Sequence, residues 1–155
     1  MPSVKVHEEQ SKHNYSFLQS INKEKYYDWK LTVAFYTALQ AIDSGLTKKD
    51  PRWREKSTGN MYALRDKILA MWNRELYRHY SFLLFRSKET RYLESIGDKI
   101  APQYFSSKQV ELYIADHLMP ILKFFSLIWS FLSQHNFSYM KKWIGMRNVV
   151  YSDLA

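Results

Sequence analysis

The sequence predicts an all-α protein, a four- or five-helix up-and-down bundle. The 155 residues contain only 4 Gly and 4 Pro, so turns are few and the elements between them are long. Apolar residues recur every three or four positions through most of the chain, which is the period of a helix packed on one side. No segment alternates apolar and polar residues as a half-buried strand would. The length suits one domain.

The first part of the chain is expected to hold a loose end followed by two helices. Residues 1–12 read as a flexible N-terminal tail, and the bundle is expected over 13–133. Residues 26–46 carry two apolar stripes at helical spacing, so this helix should be buried among neighbours. Gly45 is expected to end it.

The second part should hold two further long helices. Residues 61–93 contain neither Gly nor Pro and predict one long helix or two joined by a kink. Ser106 and Gln109 have the spacing of a capping box, and Pro120 should kink the helix that follows. Residues 134–155 predict a short basic amphipathic helix or tail. Five side chains on the apolar stripes are predicted to be buried: Trp29, Phe35, Trp72, Ile114 and Phe125.

Composition excludes several kinds of site. The chain has no cysteine, which removes disulfides, thiolate chemistry and Cys-based zinc sites. Its polar N-terminus shows no signal peptide, and its most apolar window, 118–132, is too short to span a membrane. No motif or histidine spacing points to a metal or a cofactor. We therefore expect a cytoplasmic protein without a cofactor, a metal or a membrane role.

The formal net charge of +8 favours a polyanionic partner such as RNA. A loop predicted over 47–60 concentrates basic residues around Trp53, a combination that can hold a nucleic-acid strand. The alternative is a solvated loop with Trp53 packed onto the body. The candidate nucleic-acid contacts in this loop are Lys48, Lys49, Arg52 and Arg54.

Arg74 and His79 are the candidate catalytic residues. A histidine can move the proton of a ribose 2′-hydroxyl near neutral pH, and an arginine can stabilise the charge that builds on the phosphate. Together they suit RNA cleavage without a metal. However, a chain of this composition contains about one such pair by chance. On a straight helix the two residues would also lie about 140° apart.

Two segments resemble the HEPN superfamily, a group of small helical bundles found in prokaryotic toxin and defence systems. They are "YYDWKLTVAFYTALQAIDSGL", residues 26–46, and "YSFLLFRSKETRY", residues 80–92. The resemblance implies a metal-independent ribonuclease whose Arg-x4-6-His motif lies between two subunits, with Arg74 and His79 in that motif. It also implies that Lys88 and Arg91 form a basic surface near a dimer or ligand site, and both are candidate nucleic-acid contacts.

Two hypotheses follow. The first is a HEPN-type protein acting on RNA in a microbial defence or toxin setting, as a metal-independent endoribonuclease. The second is a non-catalytic, dimerising module that binds nucleic acid, a nucleotide or a protein partner. Either would act as a homodimer or as a subunit of a larger complex. Burial of His79 against aromatic side chains would argue against the first.

Overall fold

The computed structural model of the chain describes residues 2–21, 26–56, 59–92 and 105–125. Everything described is helix, turn or loop, so the all-α prediction and the four- or five-helix bundle are confirmed. The predicted helix or tail over 134–155, and residues 126–133 of the predicted bundle, lie outside the described residues.

Helix α1 spans Val4–Ser20, so the prediction of a flexible tail was wrong for residues 4–12. The hydroxyl of Ser3 accepts a hydrogen bond from the backbone N–H of Val6 at 3.4 Å and caps the helix start. His7 and Ser11 are buried, and they hold this early part of the helix against the next one. This segment suggested a tail because it is polar. Its buried polar side chains, His7 and Ser11, have hydrogen-bond partners elsewhere in the chain.

Helix α2 spans Tyr27–Lys49 and packs antiparallel to α1. The side chain of His7 meets Gln40 at 2.7 Å, and Ser11 donates to the carbonyl of Thr37 at 2.9 Å. The predicted stop at Gly45 was wrong, because the helix continues for four residues beyond it. Gly45 is needed for packing: a Cβ at this position would overlap with the ring of Phe125.

Helices α3, Met61–Trp72, and α4, Arg74–Tyr92, are joined at one residue, which is the second of the two alternatives predicted for residues 61–93. Asn73 is extended, with φ −152° and ψ 103°. Its N–H donates to the carbonyl of Leu69 at 2.8 Å, and its side-chain oxygen accepts from the N–H groups of Glu75 and Leu76. One asparagine therefore ends one helix and caps the next.

The last three described elements follow one another without a break, and we call them together the last rod. They are helix α5, Ser107–Tyr113, a π-helical turn, Ile114–Leu118, and helix α6, Met119–Phe124. The predicted capping box between Ser106 and Gln109 is confirmed. The backbone N–H of Met119 reaches the carbonyl of Ile114, the i→i+5 bond of a π turn. The sequence predicted a kink at Pro120, and the helix irregularity in the structure is the π turn that ends at Leu118, just before this proline.

The core lies between α2, α4 and the last rod. Phe35 and Ile114 are buried as predicted, while Trp72 and Phe125 are half-buried and pack against the core. The prediction for Trp29 was wrong, since its side chain is 56% exposed. Of the two apolar stripes on α2, the one that contains Phe35 faces the core. The stripe that contains Trp29 faces outward beside α1.

Candidate nucleic-acid interface

The candidate catalytic pair is divided between two sides of α4. Arg74 is the first residue of the helix and is exposed. It lines an open groove of about 590 Å³ together with Glu75, Tyr77, Arg78 and Ser81. His79 is only 7% exposed and does not line this groove. Five residues on a regular α-helix correspond to a rotation of about 140°, which places the two side chains on different faces.

His79 is packed among rings rather than presented to solvent. Its Nδ1 lies 3.1 Å from the Nδ1 of His117, which extends from the π turn of the last rod. The ring of His117 stacks on Phe82 with the centroids 3.7 Å apart. Glu75 approaches the other ring nitrogen of His79 at 3.8 Å. Both nitrogens of His79 thus face groups of this chain.

The pKa values of both histidines are lowered. Burial is the main cause for each, since it disfavours the charged imidazolium. The charge of Arg78 lowers the pKa of His79 further, and the proximity of His79 helps to lower that of His117 to about 4. The pair is therefore neutral at physiological pH and joined by a hydrogen bond in which one ring donates.

Two of the predicted nucleic-acid contacts are engaged inside the protein. Arg54 donates to the carboxylate of Asp43 at 2.6 Å, and its side chain is 25% exposed. Arg91 donates to the hydroxyl of Tyr36 at 3.0 Å and to the carbonyl of Ser87 at 3.2 Å. Both arginines connect secondary-structure elements, which the sequence did not indicate.

The other predicted contacts fall at two places. Lys48, Lys49 and Arg52 are exposed at the end of α2 and just after it, and Lys49 lies 4.9 Å from the ring of Trp72. Trp53 is buried and donates to Thr47, as the alternative reading of this loop predicted. Lys88 is exposed near the far end of α4. The predicted basic residues therefore do not form one surface.

The structure brings a different set of residues together on the outward face of α4. We call this set the α4 stripe: Arg74, Arg78, Ser81, Phe85 and Lys88. At about 100° per residue these positions fall within an arc of about 80°. Three members are exposed cations, and the ring of Phe85 is 53% exposed. The sequence analysis missed Arg78 and Phe85, although their spacing from Arg74, i+4 and i+11, was a readable signal.

A buried polar cluster around Asp43 was also missed. Asp43 is 2% exposed and accepts hydrogen bonds from Arg65 at 2.6 and 3.0 Å as well as from Arg54. Arg54 in turn lies 3.3 Å from Nε2 of His7. Sequence spacing carried no signal for this cluster, because its members come from four separate elements.

Within the described ranges no group of three or more acidic or histidine side chains is placed to hold a metal ion. None of the described helices is long and apolar enough to cross a membrane. The chain matches no protein-family model, no curated protein and no solved structure.

Proposed function

We propose that the protein is a non-catalytic, RNA-binding helical module and that it holds a single RNA strand along the α4 stripe. One observation carries the proposal: Arg74, Arg78 and Lys88 lie on the same exposed face of α4 with Phe85 between them. Cations that follow one line attract a phosphate backbone, and an exposed ring offers a surface on which a base can stack.

The dimensions of the stripe suit a short length of strand. Fourteen residues separate Arg74 from Lys88, which corresponds to about 21 Å along the helix axis. A guanidinium nitrogen of Arg78 lies 3.8 Å from a carboxylate oxygen of Glu75, and both side chains are about half exposed or more. Such a pair is weak and exchanges readily for a phosphate. Asn73 caps the same end of the helix, where the macrodipole adds positive charge.

The RNA specificity of the proposal is supported by the net charge of +8 and by the HEPN resemblance. The burial of His79 against His117, whose ring stacks on Phe82, favours binding over cleavage. A general base must reach the hydroxyl whose proton it removes, and His79 is only 7% exposed and does not line the groove of Arg74. A cytoplasmic, defence-related role and a homodimer fit the proposal as further hypotheses.

The test is the salt dependence of binding to a labelled 12-nucleotide RNA. Each neutralised phosphate contributes about 0.7 to the slope of log K against log salt for a single strand. The double variant Arg74→Gln/Arg78→Gln should bind more weakly and lose about 1.4 from that slope. Lys108→Gln is the matched control, because Lys108 is exposed on α5 away from the stripe. An unchanged slope in the double variant would contradict the proposal.

A second arm tests cleavage directly. Purified protein incubated with RNA, with and without EDTA, should leave the RNA intact, and His79→Asn should bind it as the wild type does. Circular dichroism would verify that the variant is folded. EDTA-resistant cleavage that both Arg74→Ala and His79→Asn abolish would restore the ribonuclease hypothesis and remove the non-catalytic part of the proposal.

A further inference from the structure

A second groove lies between α1 and α2, on the side where the outward stripe of α2 is exposed. Its volume is about 390 Å³. It is lined by Gln10, Asn14, Phe17, Val33, Tyr36 and Gln40. We call it the α1–α2 groove.

The apolar walls of this groove are unusually open. Phe17 is 56% exposed although it lies near the end of a helix that packs closely on its neighbour. Tyr36 and Val33 form the opposite wall and are half-buried. Trp29, one helical turn before Val33, is 56% exposed on the same face of α2. Flat aromatic surfaces therefore border the groove from both helices.

The polar groups of the groove are amides rather than carboxylates. The amide N–H of Gln10 donates to the side-chain carbonyl of Asn14 at 2.8 Å. That bond leaves the carbonyl of Gln10 and the NH₂ group of Asn14 as one acceptor and one donor for a ligand. Gln40 lies deeper, where its carbonyl meets His7 at 2.7 Å. Side-chain amides placed in this way can pair with the edge of a base.

A positive charge stands at the rim of the groove. The guanidinium of Arg91 lies 5.6 Å from the ring centroid of Tyr36 and donates to its hydroxyl. Lys88, three residues earlier on α4, belongs to the α4 stripe. Arg91 therefore connects the two sites, because it follows Lys88 by one helical turn and donates to Tyr36, which lines the groove.

We infer that the α1–α2 groove binds one unpaired base of the RNA strand whose phosphates follow the α4 stripe, an inference that rests on the proposed function. The base would stack on Phe17, present its edge to the amides of Gln10 and Asn14, and leave its phosphate near Arg91. An apolar protein surface, such as a second copy of this chain, fits less well. It would bury the carbonyl of Gln10 and the NH₂ group of Asn14 against apolar atoms, which is costly.

The experiment compares two labelled strands of equal length, a 12-nucleotide RNA and its abasic counterpart with the same sugar–phosphate backbone. The wild type should bind the base-containing strand more tightly by roughly 5- to 150-fold, the range found for base–aromatic stacking. Phe17→Ala should lower that preference by about 5-fold or more, should keep the part that comes from stacking on Phe85, and should leave the salt slope unchanged. Leu112→Ala, a half-exposed apolar residue on α5, is the control and should keep the preference.

Failure of this inference differs from failure of the proposed function. A base preference that Phe17→Ala leaves unchanged, with a salt slope that still depends on Arg74 and Arg78, would overturn the base site and leave the RNA-binding module in place. Absence of binding to either strand at about 50 mM salt would overturn both. A dimer in sedimentation equilibrium that Phe17→Ala dissociates, with no effect on the base preference, would assign the groove to a second copy and overturn the inference.

Discussion

Two pairs of arginines in this protein have the same chemistry and opposite surroundings. Arg54 and Arg65 converge on Asp43, a carboxylate that is 2% exposed, and they join α2 to α3 and to the 3₁₀ turn Trp53–Lys56. Arg74 and Arg78 extend into an open groove from the first turns of α4. The first pair has its counter-charge inside the fold. In the part of the chain that the structure describes, the second pair has one weak ion pair, between Arg78 and Glu75 at 3.8 Å.

The difference teaches that the position of a counter-charge, rather than the cation itself, separates a structural arginine from one that can bind a ligand. Arg54 and Arg52 stand two residues apart in a loop that is rich in basic residues. The fold pairs the first with the buried Asp43 and leaves the second exposed. Net charge is therefore a guide to the partner class but a poor guide to the contact residues.

Removal of the shared carboxylate is the largest expected disruption. Asp43→Asn leaves two guanidiniums beside a neutral amide, and loss of one member of a buried ion pair costs about 3–5 kcal/mol of unfolding free energy. Urea denaturation followed by circular dichroism measures it. Glu9→Gln, in the exposed pair with Lys5, is the control and should cost less than about 0.5 kcal/mol. A loss below about 1 kcal/mol for Asp43→Asn would show that the cluster does not hold the fold together.

The two kinds of arginine can be compared directly by one substitution in each. Arg54→Gln should lower the free energy of unfolding by about 1–3 kcal/mol, because it removes a charged hydrogen bond to a buried partner. It should leave the affinity of the α4 stripe for RNA unchanged. Arg74→Gln should do the reverse, with a stability change within about 0.5 kcal/mol. The distinction between the two kinds of arginine would be contradicted if both variants lowered the free energy of unfolding or both lowered the affinity for RNA.

Acidification extends the comparison to His79 and His117. Because the folded protein lowers the pKa of His79 and His117, the unfolded chain binds protons more readily. Stability should thus be complete above pH 6.5 and fall as the pH drops towards about 4. The thermal midpoint at pH 7 and pH 5 would report the loss. His117→Phe should reduce it, whereas His13→Gln, at an exposed position, should not. A midpoint that is equally acid-sensitive in His117→Phe would exclude this pair as the cause.

Outward-facing aromatic residues should contribute least to stability. Trp29→Ala is expected to cost less than about 1 kcal/mol, since more than half of the side chain is already in solvent. Phe35→Ala, on the buried stripe of the same helix, should cost about 3–5 kcal/mol. Chemical denaturation of the two variants side by side would test the assignment of the stripes. Similar losses would mean that Trp29 is covered in solution.

The helices could be predicted because their signals are local. The apolar period placed α2 and α4, the capping box placed the start of α5, and Tyr80 and Leu83 are buried as the spacing indicated. The break at Asn73 was foreseen only as one of two alternatives. Whether a long helix bends depends on what it packs against, and a single-residue cap is a weak signal before that is known.

The candidate site was less predictable because its members are related by distant contacts. His79 looked available in the sequence, but its partner His117 lies 38 positions away on another helix. The start of α1 looked like a tail because the residues that bury His7 and Ser11 come from α2. The prediction for Trp29 was wrong for a similar reason. Both stripes of α2 are apolar, and only the packing of the neighbouring helices decides which stripe is covered.

The π turn Ile114–Leu118 has a consequence for insertions and deletions. A π turn holds one residue more than an α turn over a similar rise, so it stores the equivalent of a single-residue insertion. Deleting Ala115 from the gene should convert the turn into regular α-helix and keep Val110 and Ile121 in register with the core. The same deletion inside α3 would rotate every later position of that helix by about 100°. Among the described helices, we therefore expect natural insertions or deletions of one residue most often at this turn.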